Sequence, residues 1–359
     1  MNDETRAQYP AQQWNDPEHL PLVIGLDLGG TQIRTAVLRG AKLLSRVGLL
    51  TGENPSPERV IPRMYESIYQ ALEEAHVTFD EIAGIGIGAP GPLNNRTGVV
   101  FSPPNLPGWI NVPLSALFVE KFGVPVFVEN DANAAALGEY MFGAGSGSKE
   151  VVYITISTGI GGGVISEGRI VEGISGTAVE LGHMSIDWRG SRCNCGNIGC
   201  WESISSGTAI ARRAHELIAL GKGDELLNFA LTHEEHGPGT DTPSDVTRSK
   251  QGPVYINALM VAQAAQAGVP AAKEIIATAA EGIGVGLVNV IHVFNPERIV
   301  LGGGVVQIGS ALLEPAKRIV QERAMLVPRE AADIVLAKLG SDVGLVGAGA
   351  LIYYNKREK

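Results

Sequence analysis

Leu22-Val23-Ile24-Gly25-Leu26-Asp27-Leu28-Gly29-Gly30-Thr31-Gln32-Ile33-Arg34-Thr35-Ala36-Val37-Leu38 is an apolar run ending in Asp27, a short Gly/Thr turn, and a second apolar run over 33–38. That is the pattern of strand, tight turn, strand. The same form returns about one domain later. An apolar run over 151–156 is followed by Ser157-Thr158-Gly159-Ile160-Gly161-Gly162-Gly163 and then Val164-Ile165. Such an echo suggests two related halves facing each other. Strand–glycine–strand is also common in unrelated proteins, so spacing alone leaves duplication open.

Between and beyond the two hairpins the chain alternates strands and helices. Helices are expected over 59–75, 114–122, 130–141, 206–220, 224–231, 258–267, 271–294, 312–323 and 345–354. Further strands are expected over 82–88, 124–128 and 298–301 and around Val335. Residues 233–251 are polar, rich in Gly, Pro, Asp and Thr, and read as a surface excursion without chemistry. At 359 residues the length suggests two domains, each able to bury a core without disulfides.

Composition removes several classes. The net charge of -10 argues against a general nucleic-acid binder, and 6% aromatics against a stacking platform for single strands. The first 20 residues carry Asp, Glu and Pro and no apolar core of a signal peptide. The apolar run 283–294 is short for a bilayer and contains Asn289 and His292. A cytoplasmic protein with no membrane partner is expected. Glycine is abundant, 46 in 359 residues, about 13% against an average near 7%. It clusters after apolar runs, as turns built for close backbone approach would.

The most specific local signal is His183 followed by Cys193-Asn194-Cys195-Gly196-Asn197-Ile198-Gly199-Cys200. Three thiolates and one imidazole make a closed four-coordinate zinc set, hence a structural metal and not a catalytic one. The alternative is three reduced cysteines and a core histidine. Glycine turns at 29–30, 159–163 and 302–304, each after a strand, can offer backbone N–H groups to phosphate. Thr31 and Thr158 add hydroxyls, and Asp27 could hold a magnesium ion directly or through water. Gly86-Ile87-Gly88-Ala89-Pro90-Gly91 fits the dinucleotide spacing, but Pro90 and Pro92 interrupt the helix that motif must open. Asp131 follows a strand and opens a helix. It is either an N-terminal helix charge or a general base displayed at a domain edge. Glu180 and His183, three apart, would share a face of one helical turn, and Glu202 follows the knuckle.

Together these stretches resemble the ROK family of sugar kinases, from about Val23 onward. The carriers are Asp27-Leu28-Gly29-Gly30-Thr31, Gly88-Ala89-Pro90-Gly91-Pro92, Asn105-Leu106-Pro107-Gly108-Trp109, Glu129-Asn130-Asp131-Ala132-Asn133-Ala134-Ala135, Ser157-Thr158-Gly159-Ile160-Gly161-Gly162-Gly163, Glu180-Leu181-Gly182-His183 and Gly199-Cys200-Trp201-Glu202. The resemblance implies an α/β fold of two actin-like or hexokinase-like (ribonuclease H-like) domains with an interdomain cleft. The implied layout is an extension over 1–21, an N-terminal domain over 22–135, a C-terminal domain with the zinc knuckle over 136–342, and a last helix over 343–359 packing back on the first domain. It further implies ATP and Mg²⁺ at Asp27, Gly29, Gly30, Thr31, Thr158, Gly159, Gly303 and Gly304. Asp131 would be the base, and Asn105, Asn130, Asp131, Glu180, His183 and Glu202 would bind the sugar. His183, Cys193, Cys195 and Cys200 would hold zinc, so that the metal orients a histidine whose other nitrogen faces sugar.

The activity this implies is ATP-dependent phosphorylation of a hexose at its 6-hydroxyl, first of all glucose to glucose 6-phosphate, as glycolysis uses. N-acetylmannosamine, N-acetylglucosamine and fructose kinases are the alternatives within the family, and a homodimer is its implied assembly. From another class, sugar-sensing repressors of the family carry an N-terminal DNA-binding domain. The roughly 22 residues before the first strand are too few for one, which needs on the order of 60. A catalytically dead sugar-binding protein is disfavoured by the intact Asp131.

Overall fold

The computed structural model describes residues 17–233, 246–249 and 252–355. Most of the N-terminal extension, most of the polar excursion and the last four residues lie outside the described residues. Two sheets organise the chain. In the first, Leu22–Leu28 forms an antiparallel hairpin with Gln32–Arg39 and lies parallel to Ile82–Ala89, which lies parallel to Val126–Asn130. In the second, Val151–Ile156 forms an antiparallel hairpin with Ile160–Ser166 and lies parallel to Arg298–Gly302, which lies parallel to Asp333–Leu336. Order and directions are the same, so the echo in the sequence is an echo in topology.

Each sheet has its own core. The first is covered by Pro57–Ala75 and Leu114–Phe122, whose Val60, Met64, Ile68 and Phe118 are fully buried. Pro57 opens the first of these helices, where its missing N–H costs nothing, and His76 closes it in the left-handed conformation. The second core gathers Gly207–Ala219, Ala258–Gln266, Pro270–Phe294 and Ser310–Arg323. Pro270–Phe294 has 25 residues, and by length and composition alone it could cross a membrane, but 67% of its apolar window is buried inside the protein. The helix expected over 271–294 is this element, and the apolar run read at 283–294 is its second half, since Lys273, Glu274 and Glu281 interrupt the first.

A third core joins the two sheets. It combines Val23, Ala36 and Leu38 of the first with Val151, Tyr153, Ile165 and Val300 of the second. Two helices, Asp131–Phe142 and Val343–Asn355, fill it. They exchange sides: the helix that follows the first sheet packs on Val151–Ile156 and Ile160–Ser166, and the last helix packs on the first sheet. The boundary expected between 135 and 136 therefore falls inside a continuous helix.

The glycine run 159–163 is not one turn. Only 157–159 turns, and Gly161, Gly162 and Gly163 lie within the strand Ile160–Ser166. A β-carbon on Gly163 would lie 2.6 Å from Ala136 Cβ and 3.0 Å from Ala132 O, and one on Gly161 3.3 Å from Ala132 Cβ, so these two glycines admit the crossing helix to the sheet surface, whereas Gly162 faces Leu181. Another element escaped the sequence. Val246–Ser249 pairs antiparallel with Gly252–Tyr255 at the end of the excursion.

Candidate functional site

Asp27 sits near the end of its strand, opposite Gly88 on one side and Arg34 on the other. Arg34 binds its Oδ2 directly and donates a second hydrogen bond to Ser341 O at 2.9 Å. The turn after it is held by Thr51, which donates to Thr31 O at 2.8 Å and, through its hydroxyl, to Gly29 O at 2.9 Å. Gly30 is packed on Asn105, where a β-carbon would meet Asn105 Cβ at 3.0 Å. Leu106 and Trp109 bury the Asn105 loop, and the indole N–H donates to Pro55 O at 2.8 Å. The loop and the turn thus pack directly against each other. As the prolines require, no helix follows Gly86–Gly91.

Asp131 is the first residue of its helix. Asn130 caps it, its Oδ1 accepting from Ala132 N at 2.9 Å and Asn133 N at 3.3 Å. The Asp131 carboxylate accepts from Ala132 N at 2.8 Å. Loss of bulk hydration pushes the group up to about 6, helped by repulsion from Asp27 and Glu180 and opposed by the Ala132 N–H. The side chain is open to the cleft, yet protein mass and two carboxylates surround it on the other sides, so accessible surface does not spare it this cost.

From the second half come the other candidates. Glu180 and His183 lie on one 3-10 turn, with His183 N donating to Glu180 O at 3.0 Å. The residue before Glu180, Val179, has φ 68°, a conformation costing a β-branched residue about 1–3 kcal/mol. Such strain is held by surrounding structure, and here it aims the Glu180 turn. Glu202 opens a short helix behind the fully buried Trp201. Its Oε2 accepts from Ile160 N at 2.9 Å, and a β-carbon on Gly159 would lie 2.5 Å from that oxygen. Only glycine fits at 159 while Glu202 stays there. Gly303, with φ 93°, follows the parallel strand next to the Ser157-Thr158 turn, and its backbone crowds Ile156 too closely for a side chain. Gly304 faces open space.

The four expected metal ligands come together. The donor atoms of His183, Cys193, Cys195 and Cys200 lie within 4.8 Å of one another. His183 presents Nδ1 to Cys193 Sγ at 3.8 Å, and Cys195 and Cys200 sulfurs are 3.6 Å apart. Burial and the two neighbouring sulfurs push the Cys200 thiol up to about 12, whereas the Asn197 N–H lowers Cys195. A divalent cation reverses the penalty on clustered thiolates, so the donor set fits zinc. Because Nδ1 faces the sulfurs, Nε2 is left to face elsewhere.

Sequence reasoning missed three contributors. Ser206 caps Gly207–Ala219, and Gly207 N and Thr208 Oγ1 donate to Ser157 O and Thr158 O, each at 2.7 Å, bolting a helix N-terminus to the second turn. The Ser-Ser-Gly-Thr stretch was a readable cap signal, but not its long-range partner. Arg34 and Glu129 were the others: both lay inside quoted motifs, and neither had a visible partner.

The ROK family model matches residues 23–354. The glucokinase of Halalkalibacterium halodurans is 34% identical over 331 residues, covering 92% of this chain and 94% of the relative. The xylose repressor of Caldicellulosiruptor bescii is 29% identical over 333 residues, covering 92% of this chain and 77% of the repressor. The crystal structure of a ROK family glucokinase from Streptomyces griseus in complex with glucose and AMPPNP is similar with a TM-score of 0.73 and 33% identity, covering 92% of this chain and 98% of that one.

Proposed function

As the chain belongs to the ROK family, we propose that it is an ATP-dependent hexose kinase that phosphorylates the 6-hydroxyl of glucose. The observation that carries this reading is Asp131, which opens its helix close enough to Asp27 of the first half and Glu180 of the second to feel their charge, its carboxyl raised to about 6. A carboxyl titrating there is ionised at neutral pH and still a better base than an ordinary aspartate. In the transfer, Asp131 takes the proton of the sugar hydroxyl as that oxygen bonds the γ-phosphorus and the bond to ADP breaks. Phosphoryl transfer asks the protein mainly for positioning and charge neutralisation. Gly29, Gly30, Thr31, Thr158 and Gly159 offer backbone and hydroxyl donors to the phosphates, and Gly303 and Gly304 line the nucleoside side. Mg²⁺ at Asp27 would supply charge neutralisation between nucleotide and protein, with Arg34 holding the carboxylate in place.

Asn105, Asn130, Glu180, His183 and Glu202 would hydrogen-bond the sugar. Zinc held by His183 Nδ1 and the three cysteines would fix the imidazole so that Nε2 meets a hydroxyl. The glucokinase relative supports glucose over N-acetyl sugars or fructose. The xylose repressor relative makes sugar sensing the second reading, because it too aligns with 92% of this chain. A coupled ADP-release assay across glucose, mannose, fructose, N-acetylglucosamine, N-acetylmannosamine and xylose separates them. Fast turnover with glucose is the expected result. Fast turnover of an N-acetyl sugar alone reassigns the substrate, and sugar binding without turnover replaces the kinase by a sensor.

A further inference from the structure

Directly before Asn130 and Asp131, Glu129 is almost wholly buried, with 3% exposure. Its Oε1 accepts from Asn130 N at 2.9 Å and Asn133 Nδ2 at 3.1 Å, and its Oε2 from Asn95 Nδ2 at 2.8 Å. Burial pushes its carboxyl up while these three donors pull it down, with Glu172 adding repulsion. The oxygens of Asn95 and Asn133 are buried without a partner. Both amides have therefore turned their NH₂ groups to the carboxylate at the expense of their own acceptors. A cluster arranged so is built around Glu129, and leaving buried acceptors unmet is costly unless something else requires it.

Its two ends reach opposite halves of the site. On one side the cluster grips the junction from strand to helix, through Asn130 N and through Asn133 in the first turn. On the other side Asn95 Oδ1 abuts Gly176, where a β-carbon would lie at 3.2 Å. The same loop pairs Arg96 with Glu172 at 3.8 Å, and Ala178 N closes on Glu172 O at 3.1 Å. That segment runs directly into Val179 and Glu180. We propose that Glu129 is a positioning residue for the transfer, fixing the junction that presents Asn130 and Asp131 and, through Asn95, seating the segment that ends in Glu180. The inference rests on the kinase reading above and adds a residue to it. Misplacing a base by about 1 Å can lower a rate about a hundredfold, so a buried clamp one residue away has that leverage.

Glu129→Gln and Asn95→Ala test it, each compared with the parent protein per folded molecule. The first keeps the shape and removes the charge, and the second leaves residues 129–131 untouched should the first fail to fold. The expected result is a kcat lower by about a hundredfold for Glu129→Gln and about tenfold for Asn95→Ala, with KM for ATP within about twofold. The acid limb of the pH profile should move down by roughly half a unit, because a loosened Asp131 is better hydrated and farther from Asp27 and Glu180. A purely structural role lowers the folded fraction and leaves that limb where it was. Parent-like kcat and pH limb in both variants overturn the inference. Absence of turnover by the parent with every sugar and ATP overturns the kinase reading itself, and the inference with it.

Discussion

Asp131 carries a charge at a position where the folded chain resists it. Its carboxyl titrates at about 6 instead of 3.8, first through lost hydration and then through Asp27 and Glu180. Between those two pH values the folded chain holds a proton that the unfolded chain has released. Stability from this group is therefore full below about pH 4 and is lost as pH rises through about 6. Asp131→Asn should abolish sugar-dependent ADP release and also raise Tm at about pH 7.5, with the gain vanishing below about pH 4. Cleft water screens part of the penalty, so the sign is what calorimetry at the two pH values tests. For the parent, kcat/KM for sugar should climb as pH rises through about 6 and level off above it. A flat profile across that range, or an Asn variant that turns over, would remove Asp131 as the base.

The stretch from Glu180 to Glu202 is a single device: a 3-10 turn, a knuckle and a short helix. The clustering of its four donors, His183, Cys193, Cys195 and Cys200, was legible because Cys and His at such spacing have few other uses. Its backbone was not, because the bonds that shape it, such as Cys193 N to Asn197 O at 2.8 Å and Trp201 N to Met184 O at 2.9 Å, leave no sequence periodicity. The glycine excess was legible only in part. Gly159 and Gly303 serve turns, as the sequence suggested, but Gly161 and Gly163 thin a strand for the crossing helix Asp131–Phe142, and Gly162 makes room for Leu181 on the other face. Since His183 is shared between the knuckle and the Glu180 turn, the metal should matter for sugar more than for nucleotide. Cys195→Ser is expected to lower zinc from about one per chain and to raise the sugar KM roughly tenfold or more, with KM for ATP little changed. Elemental analysis beside steady-state kinetics reads both. A zinc-free, folded parent with an unaltered sugar KM would leave the knuckle without a role in binding.

Across the whole molecule, the repeated topology was foreshadowed by two hairpins, and the last helix was expected to pack back on the first half, but its meeting with Asp131–Phe142 was not foreshadowed. It depends on contacts more than 200 residues apart, which no local pattern encodes. The crossing point is Gly138 on Asp131–Phe142 against Gly347 on Val343–Asn355. A β-carbon on Gly138 would lie 2.9 Å from both Gly347 Cα and Gly347 N. Beside it the fully buried Glu139 accepts from Ala144 N at 2.6 Å and Leu339 N at 2.8 Å, tying the first helix to the approach of the second. The two halves thus meet here in a backbone-to-backbone contact flanked by a fixed anchor. Gly138→Val should test it in two ways. Valine recovers only a few tenths of a kcal/mol of helix propensity over glycine, while overpacking costs about 1–3 kcal/mol, so a net loss is expected in denaturant unfolding. On the proposed hexose-kinase reading, in which the halves would close on glucose about this contact, forcing the helices apart should make glucose contract the radius of gyration in solution scattering less for the variant than for the parent. Equal stability and equal contraction would mean that the halves turn about some other point.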